Sequence, residues 1–370
     1  MPRVTVALPV YNHEHYVEHT LRSLYAQDYR DFQIVAVNDG STDGSLEVLD
    51  RHRTRVRIID SSHQGPAAAR NVAIRATDSE FIAFMDADDL AVPERLRVEV
   101  GKLKAERLDL VASALDFIDR AGRPVPGMWS CPVEASNHYW GALLERNWIG
   151  TPSVMVRREA IADTGLFDEH FTRAEDYDLW LRIGRAHRIG YTASTLIHCR
   201  RHSANTSLSI AEHQYFERMA LQKVSRYEAW AAFSRLYSHE QQRTEAWIWF
   251  LLRRGDSGFR EEVLRAMAAY PGSRLLPFAL GVFQYDRAEY DAALATFDSL
   301  KDSDASALHN LGVVHARCGN VGAAKSHLVA ALLLHPGYYD ALYNLDALRT
   351  GQEVRLTRRP LRQHVVPMMG

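Results

Sequence analysis

Hydrophobic and polar positions follow two alternating rhythms through the first hundred residues. Short apolar runs at 4–10 (VTVALPV), 32–39 (FQIVAVND), 56–60 (VRIID) and 81–88 (FIAFMDAD) read as buried strands. Between the first two, Tyr16, Val17, Leu21, Leu24 and Tyr25 recur at helical spacing within 14–27. Residues 41–50 (STDGSLEVLD) predict a turn and helix, with Ser41, Thr42 or Asp43 as cap. Two more helices are opened by Pro66 and Pro93, a residue favoured in the first helical turn. Strand and helix in alternation predict an α/β fold: a mixed, mostly parallel sheet with helices on both faces. Ligands of such sheets sit at the carboxyl ends of strands, where PVYN, VNDGSTD and MDADD fall.

After about residue 108 the order loosens. Residues 108–119 predict a strand, 139–147 a short helix, 152–161 a strand then a helix, 175–186 a helix and 189–202 a late strand. From 213 onward the pattern is helical throughout, and it repeats. Leu280-Gly281 matches Leu311-Gly312, Ala293 matches Ala324, and Phe297 matches Leu328. Ala331 and Pro336 stand where a tetratricopeptide unit ends, and a third partial copy starts at 340–348 (DALYNLDAL), with Leu345 in the Leu position. Small residues let two antiparallel helices approach, while larger ones fill the groove to the next pair. The expected organisation is an α/β domain at 1–212, a helical linker at 213–240, tetratricopeptide-like helical repeats at 241–350, and a basic, flexible tail at 351–370.

Composition narrows the function classes. The 370 residues are 46% hydrophobic and 24% charged, with a net charge of −2. No basic excess points to nucleic acid as a partner. Three scattered cysteines, Cys131, Cys199 and Cys318, suggest neither a disulfide framework nor structural zinc, and fit a reducing cytoplasm. No signal-peptide pattern opens the sequence and no run reaches membrane-span length. The basic tail is either solvated or in peripheral contact with anionic lipid.

Three carboxylates, Asp86, Asp88 and Asp89, close the fourth strand. On a strand, positions i and i+2 point to one side, so Asp86 and Asp88 offer two hard oxygen ligands together. Such a pair suits Mg²⁺ or Mn²⁺ sharing its shell with substrate phosphates, while Asp89 reads as a turn or cap residue.

Five motifs stand in order: LPVYN (8–12), VNDGSTDGS (37–45), GPAAARN (65–71), MDADD (85–89) and AEDYDLWLR (174–182). In them the chain resembles the family 2 inverting glycosyltransferases of GT-A fold, over about residues 3–205. The resemblance implies transfer of a monosaccharide from a nucleoside diphosphate sugar, a UDP-sugar above all, by a cation-dependent, inverting hexosyltransferase-type enzyme. It implies that Pro9, Tyr11, Asn12, Asp39, Arg70, Asp86, Ala87 and Arg201 surround the nucleotide sugar. Of these, Tyr11 offers a face for the base, while Pro9 and Asn12 shape their loop. Asp88 and His202 are implied as metal ligands, with Arg200 and Arg201 near the diphosphate. The general base falls on Asp176, with Glu175 as alternative; Asp178 reads as a structural ion pair and Trp180 as core. The acceptor is a glycan or lipid-linked sugar, as in polysaccharide biosynthesis, or alternatively a peptide or protein held by the repeats. The repeats could instead pair two copies of the chain, or act as a non-catalytic binding module.

Overall fold

The structure, a computed structural model, describes residues 2–132, 138–202, 210–302 and 304–360. It divides into two compact units, Met1–Leu236 and Tyr237–Gly370.

The first unit is built on one nine-stranded sheet. Its strands are β1 (Val4–Val10), β2 (Phe32–Asp39), β3 (Val56–Ser61), β4 (Phe81–Phe84), β5 (Leu90–Ala91), β6 (Leu110–Ile118), β7 (Pro124–Trp129), β8 (Val154–Arg157) and β9 (Ile189–Arg200). They lie in the order β3-β2-β1-β4-β8-β6-β9-β5, with β7 paired to β6. The helices are α1 (Val17–Tyr25), α2 (Ser45–Asp50), α3 (Pro66–Arg75), α4 (Arg95–Ala105), α5 (Tyr139–Glu145), α6 (Arg158–Thr164), α7 (Glu175–Ala186), α8 (Ile210–Gln222) and α9 (Arg226–Leu236).

The four apolar runs of the sequence form one half of this sheet, with β3 at its edge. β1 pairs in parallel with both β2 and β4 and is buried along nearly its whole length. Val4, Val6, Leu8 and Val10 meet Val17, Leu21 and Leu24 of α1 in one core. Each such fully buried side chain contributes roughly 2 kcal/mol of transfer free energy. The sheet is mixed, as expected: the parallel run β3-β2-β1-β4 is interrupted after β4, and parallel pairing returns between β6 and β9. β8 inserts antiparallel between β4 and β6, and β7 and β5 add antiparallel partners to β6 and β9.

The unit boundary falls between Leu236 and Tyr237 rather than near residue 212. Helices α8 and α9 pack on α7 and α5 of the first unit. Lys223, between them, donates to buried Asp178 at 2.7 Å.

The second unit is α10 (Glu240–Arg254), α11 (Phe259–Ala269), α12 (Leu275–Asp286), α13 (Tyr290–Asp298), α14 (Ala305–Arg317), α15 (Val321–Leu334) and α16 (Tyr339–Thr350). Two helix pairs repeat the same close approach. A Cβ on Gly281 would come within 2.7 Å of the Phe297 ring, and one on Gly312 within 2.8 Å of Leu328 Cγ. These are the matched positions of the sequence repeat.

The expected flexible tail needs correction over its first half. Val354 and Thr357 are buried, and Arg358 forms a two-pronged pair with Asp286 at 2.6 and 2.7 Å. Distant partners fix this segment, so its local basic composition misleads. Residues 361–370 of that expected tail lie outside the described residues.

Candidate active site

The three acids at the end of β4 are each neutralised differently. Asp86 Oδ1 accepts from Arg70 Nη2 at 3.0 Å. Asp88 Oδ2 accepts from His202 Nε2 at 2.9 Å. Asp89 is buried, and its Oδ1 accepts the main-chain N–H of Arg200 at 2.7 Å. Burial, and then the charges of Asp88 and Asp86, push the Asp89 carboxyl well above the usual range.

Arg70, one turn into α3, ties two motifs together. Its Nη1 donates to Glu175 Oε1 at 2.6 Å while Nη2 holds Asp86. Both guanidinium ends are therefore on carboxylates rather than turned to an open phosphate position. The clamp draws the start of α7 against the acidic loop. Ala174 sets the angle of that start: its φ of 54° lies in the left-handed region, which a residue with a Cβ adopts only under constraint.

Glu175 is thus committed to Arg70, while its neighbour Asp176 is met by uncharged donors, including the Tyr177 main-chain N–H at 2.6 Å on Oδ1. Thr151 Oγ1 donates to Asp176 Oδ2 at 2.8 Å, and Asn147 Nδ2 reaches Oδ1 at 3.5 Å. Burial, followed by the charge of Glu175, raises the Asp176 carboxyl to about 6, against the pull of Thr151. That value suits a base working near neutral pH. Asp178 is 1% exposed and paired with Arg182 and Lys223, a structural ion pair. Trp180 is core, packed against Phe84 and Phe167.

At the other end of the site, Tyr11 is 40% exposed and stacks on His63 with ring centroids 4.0 Å apart. Asp39 holds that arrangement: its carboxylate accepts from His63 Nδ1 and from the main-chain N–H groups of Gln64 and Gly65. Asn12 sits at φ 56°, and its Oδ1 accepts from the Thr42 main chain at 2.8 Å. It shapes the loop, as does Asp43, whose Oδ1 accepts the Ser45 N–H at the start of α2. Pro9 lies within β1, and the Ala87 carbonyl accepts from Thr20 Oγ1 at 2.9 Å.

Two basic residues are placed differently from the expectation of a phosphate clamp. Arg200 is 2% exposed, and its guanidinium donates to the carbonyls of Asp88, Asp119 and Arg120. It fastens the acidic loop to the β6–β7 turn. Arg201 lies with its guanidinium 4.2 Å from the Phe117 ring centroid. His198 bonds Asp116 at 2.6 Å, away from His202, so no zinc set forms from that stretch.

The Asp88–His202 pair passes a chemical test as a cation site. A carboxylate oxygen and an imidazole nitrogen are both ligands that Mn²⁺ accepts. The His202 ring is fixed by a stack on Tyr16, centroids 5.1 Å apart. Among the described residues no cluster of three or more His, Cys, Asp or Glu could hold a metal ion. A two-residue site suits a cation that completes its shell with substrate phosphate.

Sequence reasoning missed Thr151, Asn147, His63 and Tyr16. None stands in a spacing that signals a role; only the folded chain brings them to the site.

Residues 5–165 match the family model described as glycosyl transferase family 2. The chain carries a family 2 glycosyltransferase domain. A relative named as an uncharacterized glycosyltransferase of Rickettsia felis is 30% identical over 219 residues, covering 57% of this chain and 36% of its own length. The chain spans about a third of the length of the first curated relatives it matches. A second relative, UDP-Glc:alpha-D-GlcNAc-diphosphoundecaprenol beta-1,3-glucosyltransferase WfgD of Escherichia coli, is 26% identical over 182 residues, 49% of this chain and 69% of the relative. Among solved structures, S. aureus TarS 1-349 in complex with UDP-GlcNAc superposes with a TM-score of 0.52 and 19% identity. That match covers 95% of this chain and 93% of TarS 1-349, and it shows a shared fold. The glycosyltransferase domain's matched segment ends at 165, so Asp176 and His202 lie beyond it. Among the described residues no helix is long and apolar enough to cross a membrane.

Proposed function

We propose that the protein transfers a monosaccharide from a UDP-sugar to a glycan or lipid-linked acceptor, with inversion at the anomeric carbon. The observation that carries this reading is the Arg70 clamp, which sets the Asp176 carboxylate beside the acidic loop at the sheet edge. Tyr11, with His63 behind it, offers the flat surface for the base. Asp88 and His202 would hold Mn²⁺ or Mg²⁺. When bound, such a cation supplies Lewis-acid stabilisation of the diphosphate leaving group. Asp176 takes the proton of the acceptor hydroxyl at a carboxylate oxygen as that hydroxyl attacks the face opposite the diphosphate. A single displacement of this kind inverts the anomeric centre. Glu175 and Asp86, both paired to Arg70, position rather than transfer protons.

The acceptor class draws support from WfgD, whose name gives a UDP-Glc donor and a diphosphoundecaprenol-linked acceptor. The test is a donor screen with Mn²⁺, following released nucleotide by mass spectrometry. Release of UDP from at least one UDP-sugar is expected. Failure of every nucleoside diphosphate sugar, with and without lipid-linked acceptors, would sink the reading.

A further inference from the structure

A cavity of about 340 Å³ opens in the first unit, at the opposite end of α7 from Asp176. Its walls come from α5, the last turn of α7, the start of β9 and α9. Along α7, Asp176 and Arg185 at the cavity rim are about 14 Å apart. The volume is that of a small-molecule site.

One wall is aromatic. The Trp140 indole N–H donates to the Leu181 carbonyl at 3.0 Å, which fixes the ring against α7. Gly184 permits the approach, since a Cβ there would stand 2.7 Å from Trp140 Cδ1. Tyr139 lies next to Trp140 on the same wall, its ring 5.7 Å from that of Trp148. Such rings offer flat apolar faces to a sugar or a base.

The charged lining has one sign. Arg185, Arg188, Arg235 and His187 line the cavity, and no acidic residue does. Glu228 pairs with Arg185, and His187 stands 3.6 Å from Asp109 and 3.7 Å from Asp163. Arg188 and Arg235 differ: among the described residues neither guanidinium has a hydrogen-bond or ion-pair partner. The main chain under Arg188 is nonetheless fixed. Its N–H donates to Asp109 Oδ2 at 2.9 Å, and its carbonyl accepts from the N–H groups of Asp109 and Leu110. The end of α7 does not engage either guanidinium, and the His187 N–H closes its last turn on the Ile183 carbonyl at 2.7 Å. Two unengaged guanidinium groups on a cavity without carboxylates focus positive potential on it. Their planar forks match the oxygens of a phosphate.

We propose that this cavity binds a phosphate-bearing ligand, at a site separate from the one proposed for the donor. Arg188 and Arg235 hold the phosphate, and Tyr139 and Trp140 border the body that carries it. The phosphate belongs to a soluble sugar phosphate or to a lipid headgroup, and the test separates these sources. The inference stands apart from the transferase reading and uses none of the residues around Asp176 or the acidic loop.

The probe is inorganic pyrophosphate, titrated into the full chain by calorimetry. Excess EDTA keeps cations from drawing it to Asp88 and His202. Pyrophosphate should bind with a Kd below about 1 mM at low salt. Arg188→Gln together with Arg235→Gln should weaken that binding at least about tenfold. UDP affinity in Mn²⁺ should stay within about twofold, because the two sites share no residue. Both arginines are exposed, so the melting temperature of R188Q/R235Q should match that of the unsubstituted chain. Each single variant, R188Q or R235Q, should weaken binding at least about threefold and serves if the double variant does not fold. Absence of pyrophosphate binding, or binding that these variants leave unchanged, overturns the proposal. Sedimentation with phosphatidylcholine vesicles carrying phosphatidic acid then separates the sources. Retention that R188Q/R235Q abolishes assigns the site to a lipid headgroup. Pyrophosphate binding without such retention assigns it to a soluble phosphate ester.

Discussion

The hydroxyl of Thr151 donates to the carboxylate of Asp176 across 2.8 Å, joining the turn before β8 to the first turn of α7. The bond fixes the orientation of the Asp176 carboxylate, which a side chain on a free rotamer would not have.

Asp176→Asn should lower kcat by about 10²–10⁴-fold, the usual contribution of a positioned general base. UDP affinity measured by calorimetry in Mn²⁺ should stay within about twofold. Turnover matching that of the unsubstituted enzyme would remove Asp176 from the mechanism.

The pH profile follows from the environment of Asp176. Burial and Glu175 raise its carboxyl to about 6, and only the ionised form accepts a proton. The rate should therefore fall about tenfold per unit as pH drops below about 6. Thr151→Val removes the hydrogen bond that pulls the value down. The acid limb should then move upward by roughly one unit. A limb that stays in place, measured by initial rates from pH 5 to 8, contradicts the assignment.

Cation dependence should reside in Asp88 and His202. His202→Ala should weaken UDP binding in Mn²⁺ by at least about tenfold, while binding in excess EDTA is unchanged. If EDTA has no effect on the unsubstituted protein, the pair holds no cation.

Arg70→Met leaves Asp86 and Glu175 without their shared partner at a buried position. Stripping a buried pair of one member costs about 3 kcal/mol, so urea unfolding should show a loss of that order. A loss below about 1 kcal/mol would mean that water replaces the guanidinium.

Gly312→Ala adds a Cβ 2.8 Å from Leu328 Cγ and 3.0 Å from the Ala324 carbonyl. Overpacking of this kind costs about 1–3 kcal/mol, read as a lower melting temperature. The same change at Gly322, where the added Cβ meets nothing within 4 Å, is the neutral control.

Much of this architecture was legible because short-range patterns determine it. Four apolar runs and the helices between them are local signals, and they became β1 to β4 with α1 to α3. The contact of Gly281 with Phe297, and that of Gly312 with Leu328, could be read from matched small and large positions. What escaped depends on partners distant in the chain. β7 carries Pro124, Pro126 and Gly127, poor strand residues, and persists as an edge strand on β6. Arg200 resembles a solvated strand end until Asp88, Asp119 and Arg120 are seen offering carbonyls to it. Residues 353–358 look like a charged tail until Asn310 and Asn344 supply their hydrogen bonds.

The attachment of Asp89 to Arg200 also has a consequence for biosynthesis. The acidic loop emerges from the ribosome more than a hundred residues before the strand that latches it. A nascent chain halted after β8 already contains Tyr11, His63 and the Arg70 partner of Asp86, yet lacks the groups that hold Asp88 and Asp89. Both fastenings of Asp88 and Asp89 therefore wait on β9 and the residues just after it, the last part of the sheet to be synthesised.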